Sequence, residues 1–324
     1  MKTTLSAIAL GALLACNLAS AQVTITQQGS GNGAYTEQDG LTAPFLTPKA
    51  TTIQIGNNNH AGDPLTHTPG IFQRQRFEAA NARIYQEGDA NNANIVQDGV
   101  AFTVNATIEQ RGAGNTASIT QTVQTWSDGS IYQNGSNNLA RLEQSVGDSG
   151  FSAIQTGSDN KMSVRQMEST FNYPSVTQTG DGNSVTLDVA RLLGSSSQIE
   201  QVGNNNTVDS FVRDGDSTEN SIHQNGNGNT ALNHQIGGLA FGNTTILDRS
   251  AIHQIGDNNF ASVLQDGAND ALIKQFGNDN FGTVVQTYVG PGDPNTAFIR
   301  QCGNGFSANI VQSGAANSAG IYQH

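Results

Sequence analysis

The sequence predicts an all-β protein, a β-solenoid whose strand-turn-strand coils of about 22–23 residues stack on one another. A recurrent spaced motif, a period-two alternation within it and the placement of proline carry that expectation.

The string Q-x-G-x-x-N-x-A-x-x-x-Q runs intact from Gln86 through Gly88, Asn91 and Ala93 to Gln97. It recurs on Gln27, Asn32 and Gln38; on Gln110, Asn115 and Gln121; on Gln133, Asn138 and Gln144; on Gln224, Asn229 and Gln235; on Gln254, Asn259 and Gln265; and on Gln312, Asn317 and Gln323. Degenerate copies fill the gaps, opening at Gln155 and Gln275, and at Gln178 and Gln201, where Val189 and Val212 replace the closing glutamine. Successive glutamines such as Gln133, Gln144, Gln155, Gln166 and Gln178 stand 11 or 12 apart, so each coil holds two half-repeats.

Residues leading into each glutamine alternate, as in Ala93, Ile95, Gln97 and in Ala261, Val263, Gln265. A period of two places them on one face of a strand. The residues between them, such as Asn94, Ser118, Arg141, Ser262 and Asn309, face solvent. Glycine after each glutamine, followed by Asn, Asp, Ser or Gly, supplies the turn. One coil buries too little apolar surface to offset the entropy of ordering it, so coils must stack. In a stack, identical Gln and Asn amides bond to the copies above and below, as in cross-β assemblies.

Pro44, Pro48, Pro64, Pro69, Pro291 and Pro294 lie where the repeat is interrupted, and Pro174 precedes a strand start, because a ladder needs every N–H. Loop insertions are expected near 41–51, 62–80, 238–249 and 287–296, within a single repeat domain over 22–324.

Ahead of that domain, Lys2, the apolar stretch from Leu5 to Ala15 and Ala19-Ser20-Ala21 fit a signal peptide over 1–21. Leu13-Leu14-Ala15-Cys16 offers a competing lipoprotein reading. Cleavage after Ala21 leaves Cys302 alone, which excludes an intramolecular disulfide and reads as a tolerated turn residue. No stretch approaches a membrane span. The net charge of −12 argues against a nucleic-acid partner.

In motif and spacing the chain resembles the curlin-repeat family, the subunits of bacterial curli fibres, over nearly all of residues 22–324. The resemblance implies a functional amyloid: a subunit exported through an outer-membrane pore with periplasmic chaperones and polymerised at the surface of a Gram-negative cell. Its partners would be itself and another curlin-type subunit. Its roles would lie in biofilm matrix, adhesion and surface colonisation. In that family the Gln and Asn ladders carry assembly, which maps onto the glutamines and asparagines of the intact copies above. The glycine-rich leader read by the family's export pore is not visible between Gln22 and Gln27, so export by that route is open.

The alternative is a monomeric, secreted, capped solenoid that binds a surface or ligand. With Gln27 close to the cleavage site and Gln323 penultimate, no segment is left for caps, and open ends are expected. Catalysis is not expected: Asp89, Asp98, Asp214, Asp257 and Asp266 recur with the turns rather than pairing as acid and base. His223 and His253 should point outward, and His60, His67, His234 and His324 lack metal-ligand spacing. The calcium-binding G-G-x-G-x-D nonapeptide is absent, and no cofactor is expected.

Overall fold

The computed structural model describes residues 22–39, 48–63, 65–75, 80–100, 103–215, 217–237, 248–289 and 293–324. The expected signal peptide over 1–21, Cys16, and the cores of the insertions at 40–47 and 238–247 lie outside them. The described residues are 74% strand with no helix, so the fold is all-β and no helix is long and apolar enough to cross a membrane.

The chain divides into two units, Met1–Gly147 and Asp148–His324. Each is a parallel β-solenoid, and together they hold about 12 turns. Every coil contributes two strands, and each strand pairs in parallel with its equivalent one coil away. In the first unit Lys49–Ile55 pairs with Ala80–Asp89, which pairs with Val104–Ala113, with Gln54, Gln86 and Gln110 in register. On the opposite wall Asn92–Val100 pairs with the strand opening at Thr116, aligning Gln97 with Gln121. In the second unit Ser196–Val202, Glu219–Asn225, Arg249–Ile255 and Asn269–Phe276 stack on one wall. Thr207–Arg213, Thr230–Ile236 and Phe260–Asp266 stack on the other.

The alternation falls as the sequence predicts: Ala82, Ile84 and Gln86 are buried while Arg83 and Tyr85 face outward. The core is one isoleucine-type layer, with Ile84, Ile95, Ile108 and Ile119 each fully buried. Across it the walls are offset. A side chain added at Gly282, the alanine place of one wall, would touch Gln275 of the other, and one at Gly129 would touch Gln121 and Gln144. Small residues on one wall therefore make room for glutamine on the other, which explains why the motif needs both at fixed spacing.

The insertion near 62–80 is shorter than expected. A hairpin formed by His60–Asp63 and Thr68–Pro69 bulges out after Ala61, and Ile71–Gln75 rejoins the stack against Asn92–Val100. Residues 49–51, 249, 287–288 and 295–296, at the margins of the other expected insertions, are likewise strand.

Turn geometry fixes the residue two places after each glutamine. Gly88 has φ of 106°, and a Cβ there would collide with the carbonyl oxygen of Gly112 in the next coil. The left-handed residue two places later is Asn58, Asn137, Asn205 or Asn258 in several coils but alanine at Ala90, with φ of 57°. Non-glycine residues other than Asn and Asp hold that conformation at a cost. Gly88→Ala should therefore destabilise the protein by roughly 1–3 kcal/mol, whereas Ala90→Asn should raise its denaturation midpoint, both read by urea unfolding.

Candidate functional site

The residues singled out by the motif assemble into columns of amides within each unit. In the first unit Gln27 Nε2 donates to Gln54 Oε1 at 2.7 Å, Gln54 to Gln86 at 2.8 Å, Gln86 to Gln110 at 2.9 Å and Gln110 to Gln133 at 2.8 Å. The facing wall repeats the pattern from Gln38 through Gln73, Gln97 and Gln121 to Gln144. Each interior amide uses its second hydrogen across the core, as Gln86 does to the His60 carbonyl and Gln110 to the Asn92 carbonyl. Both hydrogens and the oxygen are thus engaged, so a side chain that is costly to bury alone is fully satisfied in a stack.

Asparagine holds the corner in the same manner. Asn91 Oδ1 accepts from the backbone N–H and Nδ2 of Asn115, at 3.1 Å each, while Asn91 Nδ2 donates to the Gly112 carbonyl at 2.9 Å. Asn32, Asn59, Asn91, Asn115 and Asn138 form this column in the first unit. In the second unit Asn183, Asn206, Asn229, Asn259 and Asn280 form a column of the same kind, and the Phe306 backbone N–H donates to Asn280 at its end.

The second unit carries one unbroken glutamine column, from Gln155 through Gln178, Gln201, Gln224, Gln254, Gln275 and Gln301 to Gln323. Its facing column is interrupted. Val189 and Val212 occupy two rungs, buried and unable to bond. Gln265 bonds onward to Gln286, and Gln286 to Gln312. Gln235 does not reach Gln265. Its Oε1 accepts from Asn233, which stands where other coils place a branched apolar residue, and Gln265 Oε1 is left without a donor.

Two placements differ from the uniform reading of the motif. All intact copies but the last open on the wall of Gln86 or its equivalent in the second unit, Gln224. The last is offset by half a coil, so Gln312 stands on the wall of Gln286, Gln323 on that of Gln301, and Asn317 in the opposite corner above Asn295. The motif also passes over Gln54, Asn59 and Gln73, whose copy is split by the hairpin after Ala61, and over Asn269, Asn295 and Gln301. Register alone, counted in steps of one coil from Gln86 or Gln275, finds them.

The acids that recur with the turns have a structural use. Asp89 Oδ1 accepts the Asn57 backbone N–H at 2.8 Å, and Asp257 Oδ1 accepts that of Asn227 at 2.7 Å. Asn57, Asp181, Asn204, Asn227, Asn278 and Asn304 act alike, making a further ladder on the turn surface. Asp98 instead pairs with Arg74 at 2.6 Å, and Asp214 with Arg191, which holds its carboxyl below the usual range.

The corner opposite the asparagine column is less regular, running through Asn172, Ser195, Thr218 and Asp248 before Asn269, Asn295 and Asn317. Asp248 is 2% exposed and neither carboxyl oxygen closes a hydrogen bond. Burial pushes its pKa up to about 8, with the nearby Asn269 N–H opposing the shift and Asp270 adding to it. Ser250 Oγ and Thr218 Oγ1 beside it also lack partners.

Removing one rung orphans its neighbours. Gln110→Ala should cost at least about 3 kcal/mol in urea unfolding, because it strands a donor on Gln86 and an acceptor on Gln133 and leaves a cavity, while outward Thr107→Ala should stay within about 0.5 kcal/mol. Asp248 predicts a pH dependence. Its folded pKa lies above its unfolded value, so its contribution is greatest below about pH 4, declines as pH rises to about 8 and is flat beyond. Asp248→Asn should remove that slope and stabilise the protein at pH 8 by a few kcal/mol, since each tenfold change in an acid's ionisation equilibrium is worth about 1.4 kcal/mol. Thermal unfolding from pH 4 to 9 reads both.

No family model matches the chain, and no curated protein matches it.

Proposed function

We propose that this protein is the structural subunit of an extracellular, curli-like amyloid fibre, growing by end-to-end stacking of its coils. The complementarity of its outermost strands carries the reading. Among the described residues, Gln22–Gln28 pairs only with Lys49–Ile55, and Ser318–Gln323 only with Asn295–Cys302. Their inward side chains Val23, Ile25 and Gln27, and Ala319, Ile321 and Gln323, are half-buried where equivalent interior positions are fully buried.

The ladder has a direction. The bonds between glutamines all donate toward higher-numbered coils, so Gln27 and Gln38 present Oε1 atoms with no donor among the described residues. Gln323 spends one Nε2 hydrogen on the Ser307 carbonyl and keeps the other. A second copy laid head to tail supplies what each edge lacks. Such a heterologous contact does not close and propagates as a filament. Unpaired edges of this kind are what soluble β proteins ordinarily blunt. Secretion, a place in the biofilm matrix, adhesion and a second curlin-type subunit as partner follow from the same reading.

A thioflavin-T time course on the chain from Gln22 onward, diluted from denaturant, tests it, with fibre diffraction at the end point. A lag followed by fibres with a reflection near 4.7–4.8 Å is expected. Gln27→Ala and Gln323→Ala should lengthen the lag, while outward Arg141→Ala and Ser262→Ala should not. A folded monomer that never polymerises would overturn the reading and leave the capped binding solenoid.

A further inference from the structure

On the outer face of the second unit, the residue preceding each glutamine forms a column of its own. Over four successive coils it is His223, His253, Lys274 and Arg300, in register. This is a basic stripe on a chain of net charge −12. Its two fixed cations, Lys274 and Arg300, are also unneutralised. Every other described arginine lies within ion-pair reach of a carboxylate, including Arg74, Arg191, Arg213 and Arg249, whereas neither Arg300 nor its neighbour Lys274 does. Glu200 reaches only His223, at 3.1 Å. Like charges placed directly opposite on paired strands repel, so Lys274 above Arg300 destabilises the stack unless an anion lies against both.

Aromatic rings accompany the charges. His223 and His253 have ring centroids 4.9 Å apart, His253 meets Phe276 edge-on at 5.6 Å, and the Arg300 guanidinium lies 6.0 Å from the Phe276 ring. Phe298 and Tyr322 continue the surface at 5.1 Å. Beside the stripe runs a shallow groove floored by Ser221 and Ala251 and edged by Glu219, Arg249 and Asp270.

We propose that this face binds a linear acidic polysaccharide, a polyuronate carrying one carboxylate per sugar, laid along the stacking direction. Lys274 and Arg300 stand one coil apart, about 4.8 Å, with the His253 and His223 rings at the same spacing beyond them, and a pyranose ring advances a polysaccharide by much the same distance. Successive carboxylates thus meet Lys274 and Arg300 while the imidazoles of His223 and His253 donate to ring hydroxyls. The rings of Phe276, Phe298 and Tyr322 pack on sugar C–H faces, and Ser221 and Asp270 accept hydroxyl protons. Duplex nucleic acid fits less well, because its phosphates advance about 3.4 Å per strand and wind away from a straight column. The assignment stands whether or not the chain polymerises.

The test is binding of polygalacturonate to the purified chain by calorimetry at low and moderate salt, with dextran and a DNA duplex as competing polymers. Binding of polygalacturonate that weakens with salt, with none of dextran, is expected. K274A/R300A should lose affinity about tenfold or more, while K49A/K161A, which removes the same charge from exposed lysines elsewhere, should not. Circular dichroism and the melting temperature check that both variants fold. Equal loss in the two double variants, unchanged binding by K274A/R300A, no binding by the parent chain, or tighter binding of duplex DNA would each overturn the proposal.

Discussion

Everything in this fold depends on one requirement: a primary amide buried in a core must find two acceptors and a donor. Glutamine meets it here because parallel pairing sets an identical amide one strand spacing away on each side, and because the facing wall offers a carbonyl at the right depth. Gln110, between Gln86 and Gln133 with the Asn92 carbonyl across from it, shows the complete arrangement. The requirement is met only in register. A slip of one residue would turn the amides to solvent and the polar outer residues inward, so the same bonds that stabilise the stack also specify it. Parallel in-register pairing is thereby selected over the antiparallel hairpins that short strands and tight turns would otherwise favour.

The second constraint is spatial. Glutamine is long, and the core is a single layer thick, so the opposite wall must recede where the amide enters. Alanine, or glycine at Gly129 and Gly282, provides that recess. The corner adds its own condition, since the Asn91 amide reaches the Gly112 carbonyl only because consecutive turns pass too close for a Cβ. Glycine, asparagine, alanine and glutamine thus form one geometric unit, and that is why they travel together at fixed offsets through a sequence whose other positions drift.

This is also why so much was legible in advance. The solenoid class, inward alternation and ladder residues follow from spacing alone, because spacing is what the stacking bonds constrain. Gln54, Asn59 and Gln73 escaped the motif because a hairpin parts them in sequence without moving them in space, and a linear pattern cannot distinguish an excursion from an interruption. The motif finds Asn317 but not its corner, since two half-coils of like sequence are indistinguishable until register is counted from a fixed rung. The failure of Gln235 to reach Gln265 was invisible for another reason. Both residues fit the pattern, and the cause is Asn233, a polar residue at an inward site that competes for the same amide.

The irregular rungs gather in neighbouring coils of the second unit, where Val189, Val212, Asn233 and Asp248 replace the repeating residues and several buried oxygens go without partners. In a globular core such faults would threaten the whole fold. In a solenoid each coil leans chiefly on its two neighbours, so stability is close to a sum over coils and a weak rung is carried by strong ones beside it. The unbroken column from Gln155 to Gln323 passes along the opposite wall of these same coils. One continuous ladder suffices to hold register while the other is interrupted, which frees inward positions to drift and leaves outward ones, such as the stripe from His223 to Arg300, with almost no structural constraint. Selection for what the surface touches can therefore act on the outer face without disturbing the amides that build the stack.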